Sequence, residues 1–171
     1  MATEGKDLSH LDKRSTPSAA PFRFGIVSAE WNAEITDPLT QGAGETLIEL
    51  GARRYHIDVK KVPGSFELPV GAKLLIESNK YDAVIAIGSV IQGETRHFEF
   101  VCQAVAQGIK DVSLQTGVPV IFCVLTDDTV EQAKARSGGK HGNKGVEAAV
   151  AAVKMAYLKN QLSKPFSEED E

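Results

Sequence analysis

Four short apolar stretches alternate with segments of helical spacing, and this alternation limits the fold more than any other feature of the chain. FRFGIVSA (22–29), HIDVKKV (56–62), DAVIAIGS (82–89) and PVIFCVLT (119–126) read as strands. Three of them are apolar or nearly so throughout, as strands are when a sheet is covered on both faces. Between them, apolar residues recur at three- and four-residue steps. Ile35, Leu39, Ala43, Leu47 and Leu50 form one such set; Phe98, Val101, Cys102, Val105, Ile109 and Val112 form a second; Val146, Val150, Val153 and Tyr157 form a third. A shorter helix is expected to begin at Pro69, because proline is tolerated in a first turn. Another should start near Asp128 or Thr129, where Asp-x-x-Glu131 and Thr-x-x-Gln132 both resemble capping boxes. The order is βαβαβαβα with an extra helix. It implies an α/β fold with a central four-stranded parallel sheet, helices on both faces and right-handed crossovers.

A chain of 171 residues is expected to make one domain with a full core. Residues 1–21 are polar and weakly periodic, and read as a flexible arm; residues 22–160 carry the fold; residues 161–171 end in acidic charge and read as a solvated tail. The net charge of -4 gives no reason to expect nucleic-acid binding. No apolar run is long enough for a transmembrane helix, and the N-terminus lacks the apolar core of a secretory signal. Cys102 and Cys123 sit inside apolar segments and match no metal spacing, which suits buried free thiols in a reducing cytoplasm. Four scattered histidines offer no zinc motif.

In sheets of this kind ligands sit beyond the carboxyl ends of the strands. The four ends read AEWN, VPGSFELP, SVIQGETRH and LTDD. In the third, Gly93 lets the backbone turn sharply and approach a ligand. The following amides, near a helix start, favour an anion, and Arg96 adds positive charge; phosphate is the natural candidate. A plain helix start capped by Thr95 explains the same residues. His97, just inside that helix, can exchange protons near neutral pH, although a lone histidine is more often a surface or capping residue. Trp31 is either core filler or a stacking platform for a planar ring, and its place beside Asn32 at a strand end favours stacking. Pro63 and Gly64 dictate a turn, Ser65 can hydrogen-bond a ligand edge, and Glu67 either caps the next helix or bonds a polar substrate. The segment ARSGGKHGNKG (135–145) reads as a solvated loop between helices, or as a phosphate or polyol contact in which Arg136 supplies a planar fork of donors.

Taken together, AEWN, VPGSFELP, YDAVIAIGSVIQGETRHFEFV, GVPVIFCVLT, QAKARSGGKHGNKG and EAAVAAVKMA resemble the lumazine synthases over roughly residues 22–157. The resemblance implies a flavodoxin-like, three-layer α/β/α sandwich. It implies condensation of 5-amino-6-(D-ribitylamino)uracil with 3,4-dihydroxy-2-butanone 4-phosphate to 6,7-dimethyl-8-ribityllumazine, the penultimate step of riboflavin synthesis, with no metal or redox cofactor. Trp31 would stack on the pyrimidine with Asn32 beside it. Ser65 and Glu67 would hold the ribityl chain, and Phe66 would shape the pocket. Ser89, Val90 and Ile91 would meet the pyrimidine edge mainly through backbone. Gly93, Glu94 and Thr95 would cradle the phosphate, completed by Arg136. His97 would move protons. Phe122 and Lys144 would line the pocket from across a subunit interface. The family also implies a homopentamer, whose N-terminal segment adds a strand to a neighbour's sheet, and the short SGGKHGNKG connection suits a 60-subunit icosahedral shell with riboflavin synthase as cargo.

Three departures stand out. Gln92 occupies a position where a basic residue is common, Arg96 one where a smaller residue is common, and Asp127-Asp128 replaces a more neutral pair. The main alternative is a non-catalytic shell protein binding lumazine or flavin on the same fold, but it would be marked by loss of His97 or Arg136. A receiver-type domain would need an acceptor aspartate on an adjoining strand end, and the third strand ends in Gly-Ser.

Overall fold

The computed structural model describes residues 15–163. Strand β1 (Phe24–Ala29) leads into helix α1 (Ala33–Glu49), β2 (Ile57–Val62) into α2 (Leu68–Ser78), and β3 (Ala83–Ile91) into α3 (His97–Thr116). Strand β4 (Val120–Asp127) leads into α4 (Val130–Arg136), a small hairpin of β5 (Ser137–Gly139) and β6 (Gly142–Asn143) follows, and α5 (Lys144–Leu162) closes the fold. The four long strands pair in parallel in the order β2-β1-β3-β4. This is the expected three-layer α/β/α sandwich of flavodoxin-like type.

Alternation along the strands divides the interior into two cores. Ile26, Ile85, Ile87, Cys123 and Leu125 face α1 and α5, where they meet Ile35, Leu39, Leu47, Ala149 and Val153. Val27, Val84, Ala86 and Val124 face α2 and α3, where they meet Leu68, Leu75, Val105 and Ile109. Ile35, Leu39 and Leu47 are wholly buried, each worth roughly 1.5–3 kcal/mol of burial. Strand β2 is one edge of the sheet and β4 the other, and Asp58, Lys60 and Lys61 make β2 the most polar of the four long strands.

Some expectations needed adjustment. The buried face of α5 is built largely from alanine, centred on Ala149, Ala152, Val153 and Ala156, while Tyr157 is exposed. Small residues are required there because α1 and α5 cross closely: a methyl added at Gly145 would lie 2.0 Å from the Leu39 carbonyl oxygen. Strand β3 runs on to Ile91, so Val90 and Ile91 belong to the sheet rather than to a loop. Residues 137–143, read as a solvated loop, form an ordered antiparallel hairpin in which Gly138 and Gly142 have positive φ. Thr129 caps α4, accepting from the Gln132 amide, but the Gln132 side chain returns to the Asp128 amide rather than to Thr129.

Residues 1–14 of the expected arm and the acidic residues from 164 lie outside the described region, as does any N-terminal strand offered to a neighbour. Ala19, within the expected arm, is fully buried and donates its amide to Leu50 O at 2.9 Å, so that part is anchored to the end of α1.

Candidate active site

The strand order creates a switch point. From β1 the chain moves outward to β2, then crosses back to β3 on the other side of β1. Crevices open at such reversals, beyond the strand carboxyl ends. A cavity of about 400 Å³ lies there, lined by Trp31, Asn32, Gly64, Ser65, Phe66, Glu67, Ser89, Val90, Ile91, Gly93, Thr95, His97, Phe98 and Val101.

Local hydrogen bonds hold its rim. Glu30 and Trp31 donate their amides to Val62 O and Pro63 O, tying the end of β1 to the end of β2. Asn32 adopts φ 60, ψ 44, the one non-glycine residue with positive φ among those described. Asparagine tolerates this left-handed conformation better than most residues. The kink turns the chain from strand to helix within three residues, and Asn32 Nδ2 donates to Ser89 O at 3.0 Å. That bond clamps β1 to β3 and occupies the Ser89 carbonyl. Ser89 Oγ is buried and has no hydrogen-bond partner among the described residues.

Trp31 and Phe66 are 72 % and 61 % exposed and stand at the cavity mouth rather than in the core. Ser65 to Glu67 form a 3₁₀ turn ahead of α2. Glu67 occupies the cap position of α2, but its side chain makes no capping bond; the carboxylate is left for another partner. The turn packs hard on β3, since a methyl added at Gly88 would meet Ser65 Oγ at 2.6 Å and Leu68 Cδ1 at 2.9 Å.

The GETRH segment differs from expectation in detail. Helix α3 begins at His97 with Arg96 as its cap residue and no side-chain capping bond; Thr95 Oγ1 accepts only a long contact, 3.4 Å, from the His97 amide. Thr95 is therefore a poor cap, and Gly93 to Thr95 precede the helix instead of opening it. Gly93 does not have positive φ, and a methyl there would meet nothing within 4 Å. Its value is the open space, not a forced turn. Arg96 turns to Glu99 at 3.2 Å, and Gln92 Nε2 donates to Gly93 O. His97 is exposed to the cavity.

Eleven of the fifteen residues singled out from the sequence line this one cavity; Glu94, Phe122, Arg136 and Lys144 do not. Gly64, Phe98 and Val101 were missed as lining residues, although Phe98 and Val101 belonged to the helical apolar set. Arg136 ends α4 on the α1 and α5 side of the sheet and borders a second cavity of about 550 Å³ with Asp127, Glu131, Lys134, Lys140 and His141. Lys144 opens α5 and pairs with Glu147 at 2.7 Å. Phe122 lies on β4 and is 39 % exposed.

Burial raises the pKa of four groups, Tyr81, Cys102, Cys123 and Asp127, and the last two also feel the charges of Lys144 and Arg136. Burial pushes the Asp127 carboxyl up, and the neighbouring Arg136 guanidinium pulls it back only in part. Burial pushes the Cys123 thiol up to about 12. No group of three or more His, Cys, Asp or Glu among the described residues is placed to hold a metal ion, and no described helix is long and apolar enough to cross a membrane.

Comparison with known proteins adds a consistent result. Residues 21–160 match the family model described as 6,7-dimethyl-8-ribityllumazine synthase. A protein of that name from Christiangramia forsetii is 59 % identical over 160 residues, covering 93 % of this chain and 95 % of its own. Another from Flavobacterium johnsoniae is 56 % identical over 170 residues, covering 98 % and 90 %. A third, from Porphyromonas gingivalis, is 52 % identical over 158 residues, covering 92 % and 98 %.

Proposed function

The chain belongs to the 6,7-dimethyl-8-ribityllumazine synthase family, enzymes of riboflavin biosynthesis that act as transferases, and from that footing we propose its substrates and the work of its residues. It condenses 5-amino-6-(D-ribitylamino)uracil with 3,4-dihydroxy-2-butanone 4-phosphate. The uracil's primary amine adds to the ketone and water leaves. Proton loss beside the imine expels phosphate. That elimination leaves an enol at the former C3 hydroxyl, which tautomerises to a ketone; the ribityl-bearing nitrogen then closes the second ring on this new carbonyl, with loss of a second water.

The observation that carries this reading is the meeting of Trp31, the Ser65–Glu67 turn, the Ser89–Ile91 strand end, Gly93, Thr95 and His97 around one cavity. An exposed indole at the mouth suits a planar pyrimidine. The unpartnered Glu67 carboxylate and Ser65 hydroxyl suit a polyol. The open backbone at Gly93, with Glu94 and Thr95, suits a phosphate. His97 lines the same cavity and serves each proton transfer in turn. Holding both substrates together supplies much of the rate, since proximity alone is worth roughly 7–11 kcal/mol.

Arg136, Phe122 and Lys144 are assigned to the cavity of a neighbouring copy, because none of them lines the cavity of its own chain. A homopentamer accommodates this. Val70, Leu74 and Phe100, on α2 and α3, are all more than half exposed, as an apolar face awaiting a neighbour would be. The short connection between α4 and α5 supports further assembly into a cytoplasmic 60-subunit shell able to enclose riboflavin synthase.

The test follows lumazine absorbance with both substrates, using wild-type protein and His97→Ala. The variant should turn over about 10²-fold more slowly. An absence of turnover by the wild type, together with tight binding of the ring, would identify a carrier or shell protein instead.

A further inference from the structure

Arg136 meets an acidic partner within its own chain. Asp127 ends β4, is 5 % exposed, and accepts from Arg136 Nη1 at 3.5 Å. Cys123 and Leu125 share its side of the strand, so its carboxylate faces the layer that carries α4. The contact is long: charge-assisted hydrogen bonds run about 2.7–2.9 Å. Asp127 Oδ2 and Arg136 Nε are both buried, and neither has a partner among the described residues. A pair built to fix a guanidinium rigidly would be short and would use both carboxylate oxygens. This one compensates charge while leaving donors unmatched. It borders the cavity of about 550 Å³, which Lys140, Glu131 and Lys134 (itself paired with Glu34) also line and where an oxyanion has room to approach.

Resting on the assignment of Arg136 to phosphate recognition, we propose that Asp127 is an internal counter-ion of Arg136 with which the substrate phosphate must compete. Asp127 touches no reacting atom. It compensates the guanidinium while the site is empty and repels the phosphate that binds the same fork. A guanidinium has five N–H donors, so the single Nη1 contact leaves others for the incoming anion. The Asp127 carboxylate meets the guanidinium through one long contact and its Oδ2 has no partner among the described residues, so its charge is incompletely compensated beside the anion site. Asp127 therefore weakens binding of the ketone phosphate and speeds parting from inorganic phosphate, which the same reaction releases.

The experiment compares full-length wild type with Asp127→Asn and Asp127→Ala. Steady-state kinetics give KM for each substrate, and calorimetry gives Kd for inorganic phosphate. The KM for the butanone phosphate should fall about fivefold in either variant, as expected for loss of a partly screened charge. Inorganic phosphate should bind more tightly by a similar factor, the KM for the aminouracil should stay put, and the gain should shrink as salt is raised. A purely structural role for Asp127 predicts the opposite, because a loosened Arg136 would raise the phosphate KM. Unchanged or weaker phosphate binding in a folded variant overturns the proposal. Melting curves establish folding, and Asp127→Ala, which buries no amide, decides where Asp127→Asn does not fold. If the wild type makes no lumazine, the assigned reaction fails separately. The phosphate titration then decides alone: tighter binding in the variants supports the counter-ion, and equal or undetectable binding removes it.

Discussion

Gly88→Ala should damage the site through the sheet rather than through any substrate contact. Gly88 lies in β3, just past the last residue paired with β1 and paired with Val124 of β4, so its backbone has little room to retreat. An added methyl would sit 2.6 Å from Ser65 Oγ, 2.9 Å from Leu68 Cδ1 and 3.3 Å from Ser65 Cβ. Ordinary contact begins near 3.4 Å, so the 3₁₀ turn must move by about 0.8 Å. Rotating the serine hydroxyl relieves only one of the three contacts, and Leu68 is wholly buried. Overpacking of this kind costs about 1–3 kcal/mol of stability. The same turn carries Phe66 and Glu67, and a displacement approaching 1 Å in a substrate-positioning element can cost about 10²-fold in rate. Equilibrium denaturation reads the first effect. Steady-state kinetics read the second, and the KM for the aminouracil should rise more than that for the butanone phosphate. Adding Ser65→Gly removes two of the three clashes and should recover part of the lost stability, a non-additivity expected of residues in contact. If Gly88→Ala keeps wild-type stability and kcat/KM to within about twofold, the turn is not wedged against β3 and the reasoning fails.

Gly145→Ala sets a methyl 2.0 Å from the Leu39 carbonyl oxygen, and denaturation should show a loss near 3 kcal/mol, the upper end of overpacking; a loss below about 1 kcal/mol would mean that α1 and α5 separate easily. Cys123, wholly buried with its thiol pushed up to about 12, should resist thiol reagents in the folded protein and react only after denaturation; native labelling at Cys123 would contradict its burial. Asp127 holds its proton more tightly in the folded chain than its ordinary 3.8. Its favourable contribution to stability is thus complete below that value and is lost as pH rises through the raised one. Melting temperatures across the acid range should therefore move in favour of Asp127→Asn, relative to wild type, as pH rises; a gap independent of pH would refute this.

The layers of the fold were legible because burial on both faces forces apolar strands, and two helical faces could be read from Ile35, Leu39 and Leu47 and from Val105, Ile109 and Val112. The third was harder to read. Alanine carries little hydrophobic signal, yet the crossing of α1 over α5 selects it, so the true face of α5 slid away from Val146 and Tyr157. The hairpin at 137–143 was hidden for a related reason. Glycine and charge read as solvent, whereas here positive φ at Gly138 and Gly142 builds a tight return beneath α4.

The strand tips were legible as chemistry but not as geometry. Each tip announces itself by polar or glycine residues, and nothing in their order along the chain says which of them share a cavity. The sheet order decides that. With β2-β1-β3-β4, the ends of β1, β2 and β3 surround the reversal, while β4 lies outermost and its helix α4 packs on the α1 and α5 side. His97, Phe98 and Val101 approach the cavity from α3, on the opposite side. Arg136 is thus separated from them by the sheet's own layering, and its guanidinium is turned further away by Asp127. A phosphate-binding group so placed serves either its own edge cavity or the cavity of an adjoining copy, and the two cases differ in one measurable respect. Mixing impaired His97→Ala chains with impaired Arg136→Ala chains raises activity above that of either alone only if the two residues meet across an interface, because only then does a mixed assembly contain sites with both residues intact.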